Sequence, residues 1–488
     1  MGDNLPSQTA TDAARREAPL TGRVIRGSAW TFVGYVSGQG IRLAGNLVLT
    51  RLLFPEAFGL MSLVQVFMQG LQMFSDVGIG PSLIQNKRGD DPHFVNTAWT
   101  IQVIRGCTLS GIAAIIAWPV AAFYGEPTLG WLLTVSGLTA MISGFTSSAV
   151  FMAQRHLALG RLTLLDLGSQ IIGTVLMVTL AISYRSVWVL VVGGLVSAIT
   201  RTVLSHMVLA SERNRLRWER SSVSALLTFG KWIFVSTLTT FLAGQADRLI
   251  FGKMIPLEML GVYSIAAMLA TMPAQLIVKI GSAVIFPAYS RIVQAGESLR
   301  SAMTKVRKTL MLGGGALVAF MAATGSALVS VLYDERYADA GLMLQILSIG
   351  TWFQILQCTN GSALLALGNA RWVAAGNLAK LIGLAILVPL GFLAGGFTGA
   401  LVALVVTDAM KYLTSAIGTS KSGLGGLNSD LVLTICAAAT SGGLILIGKW
   451  MRQLGNNEWM VLLVAALCAC VLTAIPAARM AHAQKVSQ

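Results

Sequence analysis

Charge is what this sequence has least of. Only 11% of its 488 residues are Asp, Glu, Lys or Arg, where an average soluble domain carries about 25%, and no stretch reads as a polar, independently folding domain. A soluble enzyme is excluded on that ground. Cysteine is scarce as well: Cys107, Cys358, Cys436, Cys468 and Cys470 each sit in an apolar run, and none belongs to a C-x-x-C pair. Neither a disulfide frame nor a zinc site is expected from such spacing. The histidines His93, His156, His206 and His482 are dispersed, so no metal and no cofactor is expected. A glycine-rich phosphate loop of the nucleotide-hydrolase kind is missing, which leaves ATP hydrolysis outside the chain's own chemistry. Residues 1–20 are polar and lack the short apolar core of a signal peptide, so membrane insertion is expected to start from the first helix.

What the sequence does have is hydrophobicity in long runs, 55% of all residues. Crossing the hydrocarbon core takes about 20 mostly apolar residues. Such segments fall near 27–52, 59–84, 94–122, 128–152, 163–182, 187–209, 226–252 and 259–287, then near 307–332, 340–366, 372–394, 396–417, 430–450 and 458–478. The expected fold is an all-α polytopic membrane protein of about fourteen transmembrane helices. An even count puts both termini on one side. With that side taken as the cytoplasm, the outer segments hold only Arg51, Arg185, Lys253, Arg336, Lys449 and Arg452 among the basic residues. The inner segments hold most of the others, including Arg15, Arg16, Arg213, Arg215, Arg217 and Arg220. This is the positive-inside pattern, and it accounts for most of the net charge of +15 without any nucleic acid.

The halves of the chain are related. Trp30, Phe32 and Val33 recur as Trp232, Phe234 and Val235, Ala44 and Leu47 as Ala246 and Leu249, and Glu56, Gly59 and Ser62 as Glu258, Gly261 and Ser264, all at one constant interval. Arg51 meets Lys253 at the same interval. A repeat of six helices keeps its orientation, so the copies are parallel, related by an axis along the membrane normal, an architecture with the substrate path at the repeat interface. The expected division is a cytoplasmic tail (1–26), an N-lobe of six helices (27–210), a cytoplasmic linker (211–225), a C-lobe of six helices (226–418), two further helices (430–479) and a cytoplasmic tail (480–488).

The segment Arg51-Leu52-Leu53-Phe54-Pro55-Glu56-Ala57-Phe58-Gly59 resembles the helix 1–2 junction of the polysaccharide transporter (Wzx-like oligosaccharide flippase) family. Phe74-Ser75-Asp76-Val77-Gly78-Ile79-Gly80, continuing to Leu83-Ile84-Gln85, is similar to that family's end of helix 2. Asp247-Arg248-Leu249-Ile250-Phe251-Gly252-Lys253, with Gly261-Val262-Tyr263-Ser264, resembles the corresponding stretch of its second half. The likeness extends over essentially the whole chain. It implies membership of the multidrug/oligosaccharidyl-lipid/polysaccharide exporter superfamily, a V-shaped pair of six-helix lobes, and alternating access in the bacterial inner membrane. It also implies a polyprenyl-pyrophosphate-linked oligosaccharide as substrate, with a polysaccharide polymerase and export machinery as partners. A drug or cation antiporter and a peptidoglycan-precursor flippase of the same superfamily are the alternatives, and a membrane polysaccharide polymerase is a third. Residues 27–52 hold no Asp or Glu, which disfavours cationic cargo, and the outer loops are too short to carry a catalytic acid/base pair.

Charges within membrane helices usually face a bundle interior or an aqueous cavity. Here Arg42, Arg105, Arg201, Lys231, Arg248, Lys279 and Lys380 outnumber Asp76, Asp166, Asp247 and Asp408. A basic cavity suits a pyrophosphate, because Arg offers bidentate hydrogen bonds to phosphate oxygens. The expected substrate-binding residues are Arg42, Arg105, Arg248, Lys279, Arg51 and Lys380. Asp76 and Asp247 are expected as ion-coupling carboxylates, with a structural cap as the competing role of Asp76. Arg201, Lys231 and Asp166 lie near helix ends, where snorkelling is the competing reading. Asp408 precedes Lys411 by one helical turn, a spacing that suits a local ion pair.

The charge asymmetry makes a topological prediction. Reporter fusions at Arg217 and after Gln488 should read cytoplasmic, and fusions at Glu126 and Asp334 should read periplasmic. Opposite signals at either pair would overturn the helix count or its orientation.

Overall fold

A computed structural model of the chain describes residues 8–75, 78–86, 88–209, 214–454 and 457–469, and every regular element among them is helical. In chain order these are α1 (Gln8–Leu52), α2 (Pro55–Phe74), α3 (Ile79–Gln85), α4 (Pro92–Tyr124), α5 (Pro127–Gly144), α6 (Ala149–Arg155), α7 (Leu159–Ser183) and α8 (Trp188–Met207). There follow α9 (Arg220–Met254), α10 (Leu257–Ile280), a π turn (Gly281–Ile285), α11 (Phe286–Gln294), α12 (Leu299–Leu332), a short 3-10 turn (Glu335–Tyr337), α13 (Ala340–Ala366), α14 (Ala370–Lys421), α15 (Leu427–Gln453) and α16 (Glu458–Ala469).

Local chemistry sets several of these boundaries. Pro55, Pro92 and Pro127 each open a helix, where the missing N–H is one that the helix would not use. Asp91 caps α4 by accepting from the His93 amide at 2.9 Å. Arg88, 2.7 Å from the same carboxylate, is the larger of the two influences that hold Asp91 below the ordinary carboxylate range.

Among the described residues nine helices are long and apolar enough to cross a membrane, or ten if α5 and α6 count as one bent span. α1 and α9 are not among them, because Ser37, Gln39 and Arg42 in the first and Thr239, Thr240, Gln245 and Asp247 in the second dilute their apolar character. Periodicity alone overstates the continuity of two spans. The single spans expected at 59–84 and 128–152 are each broken, with α5 and α6 meeting at 61°, whereas the one expected at 259–287 runs on through the π turn into α11. The two spans expected at 372–394 and 396–417 are present as the two arms of α14, separated at non-helical Gly395 and Gly396. Gly396, at φ 60° and ψ −149°, adopts a backbone essentially closed to other residues. It lets the two arms fold back until Gly391 and Gly399 touch backbone to backbone.

The chain gathers into two compact units, residues 1–53 with 64–237, and residues 54–63 with 238–488. In unit 1, α7 packs on α1 and α8, and α4 on α5. Gln170 donates to the Gly38 carbonyl at 2.9 Å and Thr163 to that of Trp30 at 3.3 Å, fixing the α1–α7 register. In unit 2, α13 is the central helix, packed against α10, α12 and α14, while α15 lies on α12. Its core includes Ile277, Met311, Trp352, Ile355, Leu356 and Tyr412. A buried ion pair joins Arg307 to Asp430 at 2.5 Å. Tyr412 donates to Asp430 and Arg307 to Asn360, each at 2.6 Å. One polar cluster thus ties α12, α13, α14 and α15 together.

The internal repeat has a physical centre within unit 2. Gly59 and Gly261, partners in the repeat, meet at the starts of α2 and α10. A Cβ on Gly59 would lie 2.1 Å from the Leu257 carbonyl oxygen, and one on Gly261 would lie 1.9 Å from that of Pro55. Pro55 and Leu257 are themselves repeat partners, so the contact is symmetric. Gly59→Ala and Gly261→Ala should each destabilise the protein by roughly 1–3 kcal/mol, because backbone must move to admit the methyl group. Gly111→Ala, with open space around it, should be neutral. Thermal unfolding of the purified variants in detergent checks this, and equal behaviour of all three would refute it.

Candidate functional site

Each unit has an open cavity with polar side chains set in a mainly apolar lining, and in unit 1 it forms where two helices end. A broken helix leaves its last carbonyls without partners. α4 supplies the donors. Arg105 Nη2 donates to the Gln72 carbonyl at 2.7 Å and Nε to Ser75 Oγ at 2.8 Å, closing the end of α2. One turn earlier, Gln102 Nε2 reaches the carbonyls of Ser143, Gly144 and Thr146 at 3.3, 3.0 and 3.1 Å, closing the end of α5. The cavity between these breaks has a volume of about 540 Å³, and Gln72, Gln102, Arg105, Phe151, Gln154 and Arg201 are among its lining residues. Arg201 is 2.8 Å from Asp166, so these two residues pair.

In unit 2 a cavity of about 300 Å³, lined by α9, α10, α13 and both arms of α14, collects its charge from α9 and α14. Lys380 on the first arm pairs with Asp408 on the second at 2.6 Å. Gln354 of α13 donates to the other oxygen of Asp408 at 3.0 Å. Asp247 accepts a short hydrogen bond from Tyr263, and Arg248 donates to Gln245 at 2.8 Å. Lys411 lines the same cavity and has no carboxylate within 4 Å among the described residues. The turn-spaced pairing of Asp408 with Lys411 is therefore replaced by a cross-arm pair. The fold-back at Gly396 brings Lys380 closer than the residue one turn away.

Of the residues expected from sequence, Asp247, Arg248 and Lys380 share the unit 2 cavity and Arg105 lines that of unit 1. Arg42 and Arg51 on α1 and Lys279 in the last turn of α10 are exposed and line neither. Asp76 lies outside the described residues. Sequence reasoning passed over Gln72, Gln102, Gln154, Tyr263 and Gln354. Uncharged polar side chains inside membrane-length helices were the available signal for all of these but Gln154, which lies on the short α6.

A family model described as polysaccharide biosynthesis protein matches residues 48–341. The teichuronic acid biosynthesis protein TuaB of Bacillus subtilis (strain 168) is 22% identical over 364 residues, covering 72% of this chain and 73% of that protein. The succinoglycan biosynthesis transport protein ExoT of Rhizobium meliloti (strain 1021) is 23% identical over 328 residues, 67% of this chain and 66% of that protein. Among solved structures, the lipid II flippase MurJ in an inward closed conformation superposes with a TM-score of 0.73 at 13% identity, over 94% of this chain and 99% of that one.

Lys380 and Asp408 are mostly buried, with side chains 15% and 10% exposed. Removing one partner of such a pair strands a charge and costs roughly 3–5 kcal/mol, whereas replacing both with apolar groups can be neutral. Lys380→Met and Asp408→Leu should each lower thermal stability on that scale, and the double substitution should recover most of it. A double variant as unstable as the worse single one would show that the two side chains do not depend on each other.

Proposed function

Because the chain belongs to the family of polysaccharide biosynthesis proteins, we propose that it moves a polyprenyl-pyrophosphate-linked oligosaccharide from the cytoplasmic to the outer leaflet of the bacterial inner membrane. The moved unit feeds the synthesis of a surface polysaccharide such as capsule, exopolysaccharide or O-antigen. The observation that carries this reading is a polysaccharide-biosynthesis match on a chain built, among its described residues, from helices of membrane-crossing length.

The physical task is to carry a charged, hydroxyl-rich headgroup past hydrocarbon. Passing it through lipid unaided would strip its hydration at large cost. In our reading the sugar and pyrophosphate travel along polar protein surface while the lipid tail stays in the bilayer, and no covalent bond is made or broken. The N-lobe (27–210) and C-lobe (226–418) are the bodies we expect to rock, with both termini in the cytoplasm. Arg42, Arg51, Arg248 and Lys279 are the groups we assign to the pyrophosphate and to acidic sugars, while Arg105, engaged by the end of α2, shapes the cavity offered to the sugars. Lys380, whose charge Asp408 already matches, serves them indirectly by holding the cavity open. Asp247, held by Tyr263, is the described carboxylate we assign to ion coupling. A polymerase that consumes the delivered unit and the export machinery beyond it are the partners this role requires.

Cells lacking the protein should lose the surface polymer and accumulate the lipid-linked unit in a form that enzymes added outside the membrane cannot reach. Unpolymerised units on the outer face would place the step after translocation and favour a polymerase. An unchanged polymer with raised sensitivity to cationic drugs would favour an antiporter.

A further inference from the structure

We propose that the unit 1 cavity is a sugar-binding subsite that reads the hydroxyls of the oligosaccharide beyond its first sugar. This rests on the flippase reading above and specifies which part of the cargo the chain recognises.

The cavity lies at the junction of two broken spans. Discontinuous helices are where transporters place substrate sites. Gln102 and Arg105 satisfy the freed carbonyls of α5 and α2, so they act as positioning residues that hold the cavity open. The groups left to face a ligand are Gln72 and Gln154. Both side chains are exposed within the cavity lining, and neither amide bonds to another described residue.

The chemistry of the lining selects among ligands. Each sugar hydroxyl both donates and accepts, and a glutamine amide offers one acceptor and two donors to match. Phe151 gives the cavity a partly buried aromatic face, suited to the C–H face of a pyranose ring. The charges are largely answered within the chain: Asp166 matches Arg201, and the carbonyl of Gln72 and the hydroxyl of Ser75 engage Arg105. A pyrophosphate would find few uncommitted cations here, whereas neutral or singly acidic sugars find uncommitted amides. The volume of about 540 Å³ falls within the roughly 300–1,000 Å³ of small-molecule pockets, room for sugar rings and not for a polyprenyl chain.

The test uses the full chain in cells deleted for the downstream polymerase and for the chromosomal copy of this protein, complemented with variants at equal membrane levels. Spheroplasts are treated briefly with cold periodate, and the oxidised fraction of lipid-linked unit measures what has reached the outer face. Two units are compared: the complete one, and one truncated to its first sugar by deleting the second glycosyltransferase. Wild type should expose the complete unit about tenfold faster than the truncated one, the scale of one or two lost hydrogen bonds. The Gln72→Ala/Gln154→Ala variant should lower the complete unit to the truncated level and leave the truncated unit unchanged. Gln72→Asn/Gln154→Asn, which keeps both amides, should restore part of the difference. Wild-type export of the complete unit by the alanine variant would overturn the subsite, and so would an equal loss of both units. If wild type exposes neither unit, the translocation reading itself falls.

Discussion

A backbone carbonyl or amide left without a partner in hydrocarbon costs several kcal/mol, and that constraint decides where these helices can stop. Within the spans the chain breaks at a few places, and in unit 1 the freed carbonyls have side-chain donors waiting. Arg105 serves α2 and Gln102 serves α5, both from α4. The same helix therefore stabilises two interruptions and shapes the cavity they create. In α14 the interruption is handled by geometry, since Gly395 and Gly396 reverse the chain in a conformation that needs no side chain at all.

The second consequence of a low dielectric is that charge must be matched or hydrated. Two solutions appear in unit 2. Arg307 and Asp430 are sealed, at 4% and 2% exposure, and surrounded by Tyr412 and Asn360, an arrangement that anchors the last helices to the rest of the unit. Lys380 and Asp408 are paired as closely but border a cavity that also holds Asp247, Arg248 and Lys411. A sealed pair can only hold structure. A pair beside other ionisable groups and space for water can exchange partners, which a transporter requires of any charge that takes part in its cycle.

The repeat supplies a third ordering principle. Gly59 and Gly261 occupy equivalent positions and meet so closely that each excludes a side chain on the other. Their identity in the two copies was visible as part of a weak sequence match. The contact gives that match a steric cause, because any Cβ at either position would strike the carbonyl of Pro55 or Leu257.

Sequence alone determined the class of this protein. Long apolar runs and sparse charge require a helical membrane bundle, because hydrocarbon imposes the same rule on every segment regardless of its neighbours. The family was also legible, since motifs such as Arg51–Gly59 and Asp247–Lys253 are contiguous. Arg248, Lys380 and Asp247 were picked out as charges in apolar surroundings, and they share a cavity. The partners of those charges were not legible. That Asp408 pairs with Lys380 rather than Lys411 depends on a reversal at Gly396, and that Arg105 closes α2 depends on where α2 ends. Gln72, Gln102 and Gln154 carried no charge to mark them. They come together only because two interrupted helices end beside α4, a coincidence in space that hydropathy, which reads each segment in isolation, has no means to record.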